Sequence, residues 1–389
     1  MDDQERAGVL AALGAEGAVV EELLARNSVP AGPPVGANPP VLPLTDEPHI
    51  EAWRRYAGAA RATGAWEALR AVFPQLRFPI RAGISSEAAY RAATLKGEAT
   101  AESVEHLRLE DPGALELAIH DTLAGGVPVI VAGTRGDFEN LVRAFTSRNE
   151  PRPVPPSMGA CHVSGLNNWD RIAAHRRSWE AQDPGRCGDS TAWHEEFRRL
   201  VARKDLYQDR FVILSRGPYS NVPAAETGLP EGEWRELSLV LRREHECTHH
   251  FTLRAFGRLG NNVLEELLAD FVGLVRAFGA YRPELAARFL GLEGFPIYRD
   301  GGRLENYRGE PPLSDRAFEI LTGVTHAAIG NLAAVAERRP ERLATPKALA
   351  ELVFVLTTVT LEELAAPGFR DRADSLLASR FGSRSGAAR

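Results

Sequence analysis

His245-Glu246-Cys247-Thr248-His249 places two histidines four positions apart within a segment of helical patterning. An α-helix turns once per about 3.6 residues, so both imidazoles leave the same face and aim at one point, which is what a zinc ion takes from a single helix. Glu246 stands beside that point, where a carboxylate can take a proton from water. Sixteen and seventeen residues after His249 come Glu265 and Glu266, and then Asp270. In this second segment Leu264, Leu267, Leu268, Phe271 and Val275 form an apolar helical face, with Glu266 and Asp270 four apart on the other side. Taken alone, those carboxylates read as the solvated face of an amphipathic helix. Following a His-x-x-x-His pair, they become candidates for chemistry.

Together the two segments resemble the gluzincin-type (thermolysin-like) zinc peptidases, which carry HExxH on one helix and a glutamate ligand opening an E-x-x-x-D pattern on the next. The likeness spans about residues 237–275 and extends to the Phe271-Val272-Gly273 that follows the aspartate. It implies that His245, His249 and Glu266 bind zinc, that Glu246 is the general base, and that Asp270 accepts a hydrogen bond from the ring nitrogen of His245 facing away from the metal. In such a site zinc keeps a fourth position for water, lowers the pKa of that water to about 7, and polarises a substrate carbonyl.

Several neighbours compete for these roles. Glu265 lies about 100° from Glu266 on the helical wheel and has Ala269, not an aspartate, four residues on. A three-histidine metzincin arrangement needs a histidine at position 255, which is Ala255. His250 faces elsewhere on the helix, near the site or at the surface, and Cys247 points away from the histidine face as a small buried thiol. An oxyanion donor is expected C-terminal to the ligands. Tyr298, Tyr307 and His326 are available there, with Arg299 and Arg303 nearby. Against these roles, the tyrosines flank a Gly-rich stretch typical of a surface loop, and His326 sits in an apolar run where a core histidine is the commoner state.

The elements that must position this chemistry belong to an ordinary globular chain of 389 residues, 44% hydrophobic and 25% charged. A net charge of −6 and the lack of a basic cluster interleaved with aromatics argue against a nucleic-acid partner. Only Lys96, Lys204 and Lys347 among the 46 basic residues are lysine, a bias that fits a GC-rich bacterial coding sequence. Three well-separated cysteines favour a reducing compartment. An acidic start and the shortness of the best apolar run, Leu352 to Val359, lead to the expectation of a cytoplasmic protein with no membrane partner. This departs from secreted thermolysin-like enzymes and implies a restricted substrate range.

Along the chain, residues 7–26 read as a helix and 30–48 as a Pro/Gly-rich connector, with helical patterning again at 48–73. A helix at 112–124, a buried strand at 127–132 and a helix at 137–147 suggest a small α/β unit. Gly133-Thr134-Arg135-Gly136 lacks the spacing of a nucleotide site. Residues 157–167 read as a polar loop, able to line a site or simply to cover the surface, with Asn168 capping a helix through Trp179. A helix at 191–203 and a strand at 210–215 follow. By the resemblance, 211–221 is the edge strand that pairs with extended substrate. Residues 231–381 read as mostly helical, with loops near 291–313 and 337–345.

The expected fold is therefore α+β and mostly helical. An N-terminal helix and connector (1–47) precede a small α/β domain of unknown role (48–150) and a zincin-like domain (151–389) with an edge strand and two metal-bearing helices. The expected function is zinc-dependent hydrolysis of a peptide or amide substrate. The alternatives are a non-catalytic protein with a structural or vestigial metal site, and a metal-dependent enzyme acting on a small metabolite. A structural zinc site would fill its fourth position with Cys or His, and none stands at a regular spacing here. Whether a protein partner exists is left open by the sequence.

Overall fold

The computed structural model describes residues 1–26, 40–98, 106–257 and 262–381. The protein is α+β and mostly helical, 62% helix and 9% strand with a single four-stranded sheet among the described residues. Its helices are α1 (Asp3–Ala12), α2 (Ala18–Arg26), α3 (Ile50–Thr63), α4 (Ala65–Val72), α5 (Ala88–Lys96), α6 (Arg135–Thr146), α7 (Trp169–Ala181) and α8 (Ser190–Val201). They continue with α9 (Glu231–Phe256), α10 (Val263–Phe278), α11 (Pro283–Leu290), α12 (Asp315–Arg338), α13 (Pro346–Leu356), α14 (Leu361–Ala365) and α15 (Phe369–Phe381). The strands are β1 (Glu116–Thr122), β2 (Gly125–Val131), β3 (Ala160–Asn167) and β4 (Gln208–Leu214).

Two compact units divide the chain: Met1–Leu44 with Pro218–Arg389, and Thr45–Gly217. The expected boundary at 150/151 thus falls inside the second unit, and residues 151–217 group with the sheet rather than with the two helices expected to carry the metal site. Part of the expected Pro/Gly-rich connector, residues 30–39, lies outside the described residues.

In the second unit the sheet order is β1-β2-β4-β3, with β1–β2 and β3–β4 antiparallel and β2–β4 parallel. Phe211 and Ile213 of β4 and Ile130 of β2 bury against Trp53, Phe73, Phe138 and Phe145. Four segments differ from the sequence expectation. Residues 116–122 are a strand, not a helix: Thr122 pairs with Gly125 across a two-residue turn, and this pairing overrides the helix-forming composition of Glu-Leu-Ala. Residues 160–167 are strand β3, not a loop, because β4 offers them a ladder to join. β4 is interior, flanked on both sides, so 211–221 is not an edge strand, and Tyr219–Asn221 leaves the sheet as a 3-10 turn. The helical stretch 48–73 is broken at Gly64, whose φ of 87° lies in the left-handed region. Asn168 does cap α7, accepting from the Arg171 N–H, and its amide also donates to the buried Asp209 carboxylate at 2.6 Å.

The first unit is a helical core. Here the expected helix 7–26 is two helices, α1 and α2, separated by Gly14 and Gly17, both at positive φ. α12 is long and apolar enough to cross a membrane by length and composition, against the expectation that no stretch would be. Its buried residues, Leu321, Val324, Ala328 and Leu332 among them, lie in the core of this unit.

α9 and α10 position the site. Trp234, Ser238, Leu241, His245, Thr248 and Thr252 of α9 are all buried, a three-and-four spacing that defines one face. Asn262 caps the start of α10, its side chain accepting from the Glu265 N–H at 2.9 Å, and Gly279 with φ 72° caps the end. The helices approach closely at Gly273: a Cβ there would stand 3.0 Å from the Leu241 carbonyl oxygen. Replacing a helix-interior glycine by alanine gains about 1 kcal/mol of helix propensity, whereas overpacking costs about 1–3 kcal/mol. The obstacle here is backbone that cannot swing aside, so the clash wins. Gly273→Ala is expected to lower the Tm of the metal-free protein; an unchanged or raised Tm in a thermal melt would contradict this account of the helix contact.

Candidate metal centre

One turn along α9 from Leu241 stands His245, and one turn further His249; Glu266 faces them from the first turns of α10. His245 Nε2 and His249 Nε2 lie 3.0 Å apart, His249 Nε2 lies 3.2 Å from Glu266 Oε1, and His245 Nε2 lies 3.6 Å from Glu266 Oε2. One ligand atom from each of the three falls within 4.8 Å of the others. A tetrahedral zinc with bonds of about 2.0–2.2 Å separates its ligand atoms by roughly 3.4 Å, and the observed spacings bracket that value. The donor set, two imidazoles and a carboxylate, is one zinc accepts in sites that keep a position open.

The groups behind these three residues orient them. Asp270, fully buried, places Oδ1 2.9 Å from His245 Nδ1, leaving Nε2 for the cluster. Glu265, which competes with Glu266 in sequence, sits behind His249 instead: its Oε1 is 3.8 Å from His249 Nδ1, an ion-pair rather than a hydrogen-bond distance, and accepts from the Thr252 hydroxyl at 2.8 Å. Both rings thus turn Nε2 inward and have a carboxylate at their backs.

Burial acts against the charges of this cluster, and pairing overcomes it. Burial pushes the His249 imidazolium down, yet Glu265 and Glu266 outweigh it and hold its pKa up at about 10. Burial raises Glu266, but His245, His249 and Arg303 bring it well below the usual carboxylate range. Burial likewise raises Asp270, and Arg303 with His245 pulls it down. Without metal, the cluster is a charged pair whose proton a cation would replace.

Glu246 is half-buried on α9, and its charge acts on His249. Of the three donors expected C-terminal to His245, His249 and Glu266, Tyr307 comes near enough to Glu266 for that carboxylate, after burial itself, to raise its hydroxyl pKa. The structure does not bring Tyr298 or His326 there. Tyr298 donates to the Gly302 carbonyl at 2.6 Å and packs edge-on to Phe318, closing its own loop. His326 stacks on Phe295 with ring centroids 4.2 Å apart. Arg299 is taken by Glu293 at 2.6 Å. His250 is buried rather than at the surface and stands outside the ligand set. Cys247 is a buried thiol whose pKa burial raises.

Arg303 bonds Asp270 Oδ2 and donates from Nη1 to the Tyr219 and Ser220 hydroxyls, each at 3.1 Å. Its position depends on Gly302, where a Cβ would collide with the Leu290 carbonyl oxygen at 2.7 Å. Tyr219 is the residue that sequence reasoning missed. Its hydroxyl lies 2.8 Å from His245 Nδ1 and 2.6 Å from Asp270 Oδ1. The only signal was the Pro-Tyr-Ser-Asn punctuation after a strand, which marks a turn but not its destination.

Fold and site together define an α+β, mostly helical protein with a largely buried two-histidine, one-glutamate cluster carried by α9 and α10. The chain belongs to the Family of unknown function (DUF7005), whose model matches residues 8–368. Comparison with curated proteins and with solved structures returns no match.

Proposed function

We propose that the protein is a zinc-dependent hydrolase of peptide or amide bonds with a restricted substrate range, its site similar to that of the gluzincins. The observation that carries this reading is the convergence of His245, His249 and Glu266 ligand atoms within 4.8 Å, with Glu246 in the intervening turn of the same helix. His245 and His249 would hold the ion through Nε2 and Glu266 through its carboxylate. When bound, zinc supplies Lewis acidity to a substrate carbonyl and makes a water acidic enough to attack at neutral pH.

The chain's own residues do the rest. Glu246 takes the proton from the attacking water and returns it to the leaving amine nitrogen. Tyr307, with its proton retained by burial and by the nearby Glu266 carboxylate, would serve as a hydroxyl donor to the reacting carbonyl. Asp270 and Glu265 keep the imidazoles in place. A glutamate beside the histidines has no part in a purely structural site, which favours catalysis over a structural role. The restricted range follows from the cytoplasmic location expected from sequence, where an unselective peptidase would degrade its own cell.

Incubation of the full chain with a complex peptide mixture tests this reading by mass spectrometry of the products. New peptide termini are expected from zinc-loaded protein, disappearing on chelation and returning when zinc is restored. Absence of any hydrolysis at full zinc occupancy would contradict the assignment.

A further inference from the structure

Tyr219 reaches the centre through a turn built to deliver it. Ser220 and Asn221, the two residues after it, are non-glycine residues at φ 50° and 57°, a left-handed conformation that costs on the order of 1 kcal/mol or more each. That strain is held by bonds to α9. The Tyr219 N–H donates to Ser238 Oγ at 3.0 Å, Arg242 Nη2 donates to the Pro218 carbonyl at 3.1 Å, and Trp234 Nε1 donates to the Val222 carbonyl at 2.7 Å. The turn is therefore fixed to the same helix that carries His245 and His249.

The aromatic ring fills core, edge-on to Phe289 with centroids 4.8 Å apart, and 4% of the residue is exposed. Packing alone would be served by phenylalanine. The hydroxyl, however, is engaged on three sides: it receives a bond from Arg303 Nη1, donates to Asp270 Oδ1, and lies against the His245 Nδ1 edge. With the Tyr219 proton and the His245 Nδ1 proton both directed to Asp270 Oδ1, and Arg303 on the other carboxylate oxygen, both oxygens of Asp270 are engaged. A ligand imidazole is usually oriented by one carboxylate or carbonyl. Here the orienting carboxylate is itself oriented from both oxygens.

We propose that Tyr219 is a positioning residue for the metal centre: its hydroxyl holds Asp270 and the His245 ring so that Nε2 is directed at the cluster before any cation arrives. This inference rests on the zinc reading above and extends it to a residue outside both motif helices. Pre-orientation removes the cost of ordering the ring on binding, so loss of the hydroxyl appears as weaker metal affinity.

The test is zinc affinity of the full chain by competition with a chromophoric chelator, for wild type, Tyr219→Phe, Asp270→Asn and the double variant, with Tyr281→Phe as a buried-tyrosine control. Thermal melts of each metal-free protein accompany the titrations. Loss of such an orienting group costs about 10–100-fold in metal affinity, and that is the weakening expected for Tyr219→Phe. Tyr281→Phe is expected to bind zinc as wild type does. Because Tyr219 acts through Asp270, the double variant is expected to bind zinc no worse than Asp270→Asn alone, a non-additivity that a role in packing does not produce. A Tyr219→Phe affinity within twofold of wild type, or losses that multiply in the double variant, would overturn the proposal and leave the zinc reading standing. Wild-type protein that binds no zinc would overturn both.

Discussion

Replacing His249 by alanine is expected to weaken zinc binding by about a hundred- to a thousand-fold. Three-ligand and four-ligand sites draw on the same chemistry as structural zinc sites, whose binding free energy is about 10–16 kcal/mol, so one ligand accounts for roughly 3–4 kcal/mol. The geometry makes His249 the most exposed test of this kind. Its Nε2 is 3.0 Å from His245 Nε2 and 3.2 Å from Glu266 Oε1, so it is the atom closest to both other ligands. The fold is expected to survive the change, because Glu266 keeps its ion-pair contact with His245 and the nearby Arg303 charge. Equilibrium zinc titration of the purified variant checks this, and an affinity within tenfold of wild type would remove His249 from the ligand set.

The second large effect separates catalysis from metal binding. Glu246→Gln preserves shape and hydrogen-bonding capacity but cannot accept a proton at neutral pH. General acid–base groups contribute about 10²–10⁴-fold, so turnover of any peptide substrate is expected to fall by that factor while zinc content is retained. Glu246 is not among the converging ligands, which is why the two quantities separate. Steady-state kinetics with parallel metal analysis reads both at once. Turnover unchanged in Glu246→Gln would assign the proton transfer elsewhere and return the glutamate to an ordinary half-buried position on α9.

Much of the centre was legible because it depends on local periodicity. Four-residue spacing on α9 places His245 above His249, and E-x-x-x-D on α10 places Glu266 above Asp270, whatever the rest of the chain does. Glu265 shows the limit of the same logic. The wheel separates it from Glu266 but does not reveal that it turns to Thr252 and the back of His249, since that depends on how the two helices cross. Tyr219 was out of reach for a stronger reason. It acts across 26 residues on His245 and 51 on Asp270, from a turn whose left-handed residues are serine and asparagine rather than the glycine that would have marked it. The expected substrate-pairing strand failed because a lone apolar run does not disclose its neighbours: β4 acquires β3 from a segment whose polar, glycine-containing sequence reads as loop. Likewise Glu116–Thr122 carries helix-forming residues, and its pairing with β2, a tertiary contact, decided the outcome.

The central claim, that α9 and α10 build a zinc site, is tested most directly by the zinc content of the purified full chain. The protein would be incubated with zinc, dialysed against metal-free buffer, and assayed by elemental analysis. About one zinc per chain is predicted for wild type and for Glu246→Gln, with near-complete loss in His249→Ala. Wild-type protein that emerges from dialysis without zinc would contradict the account.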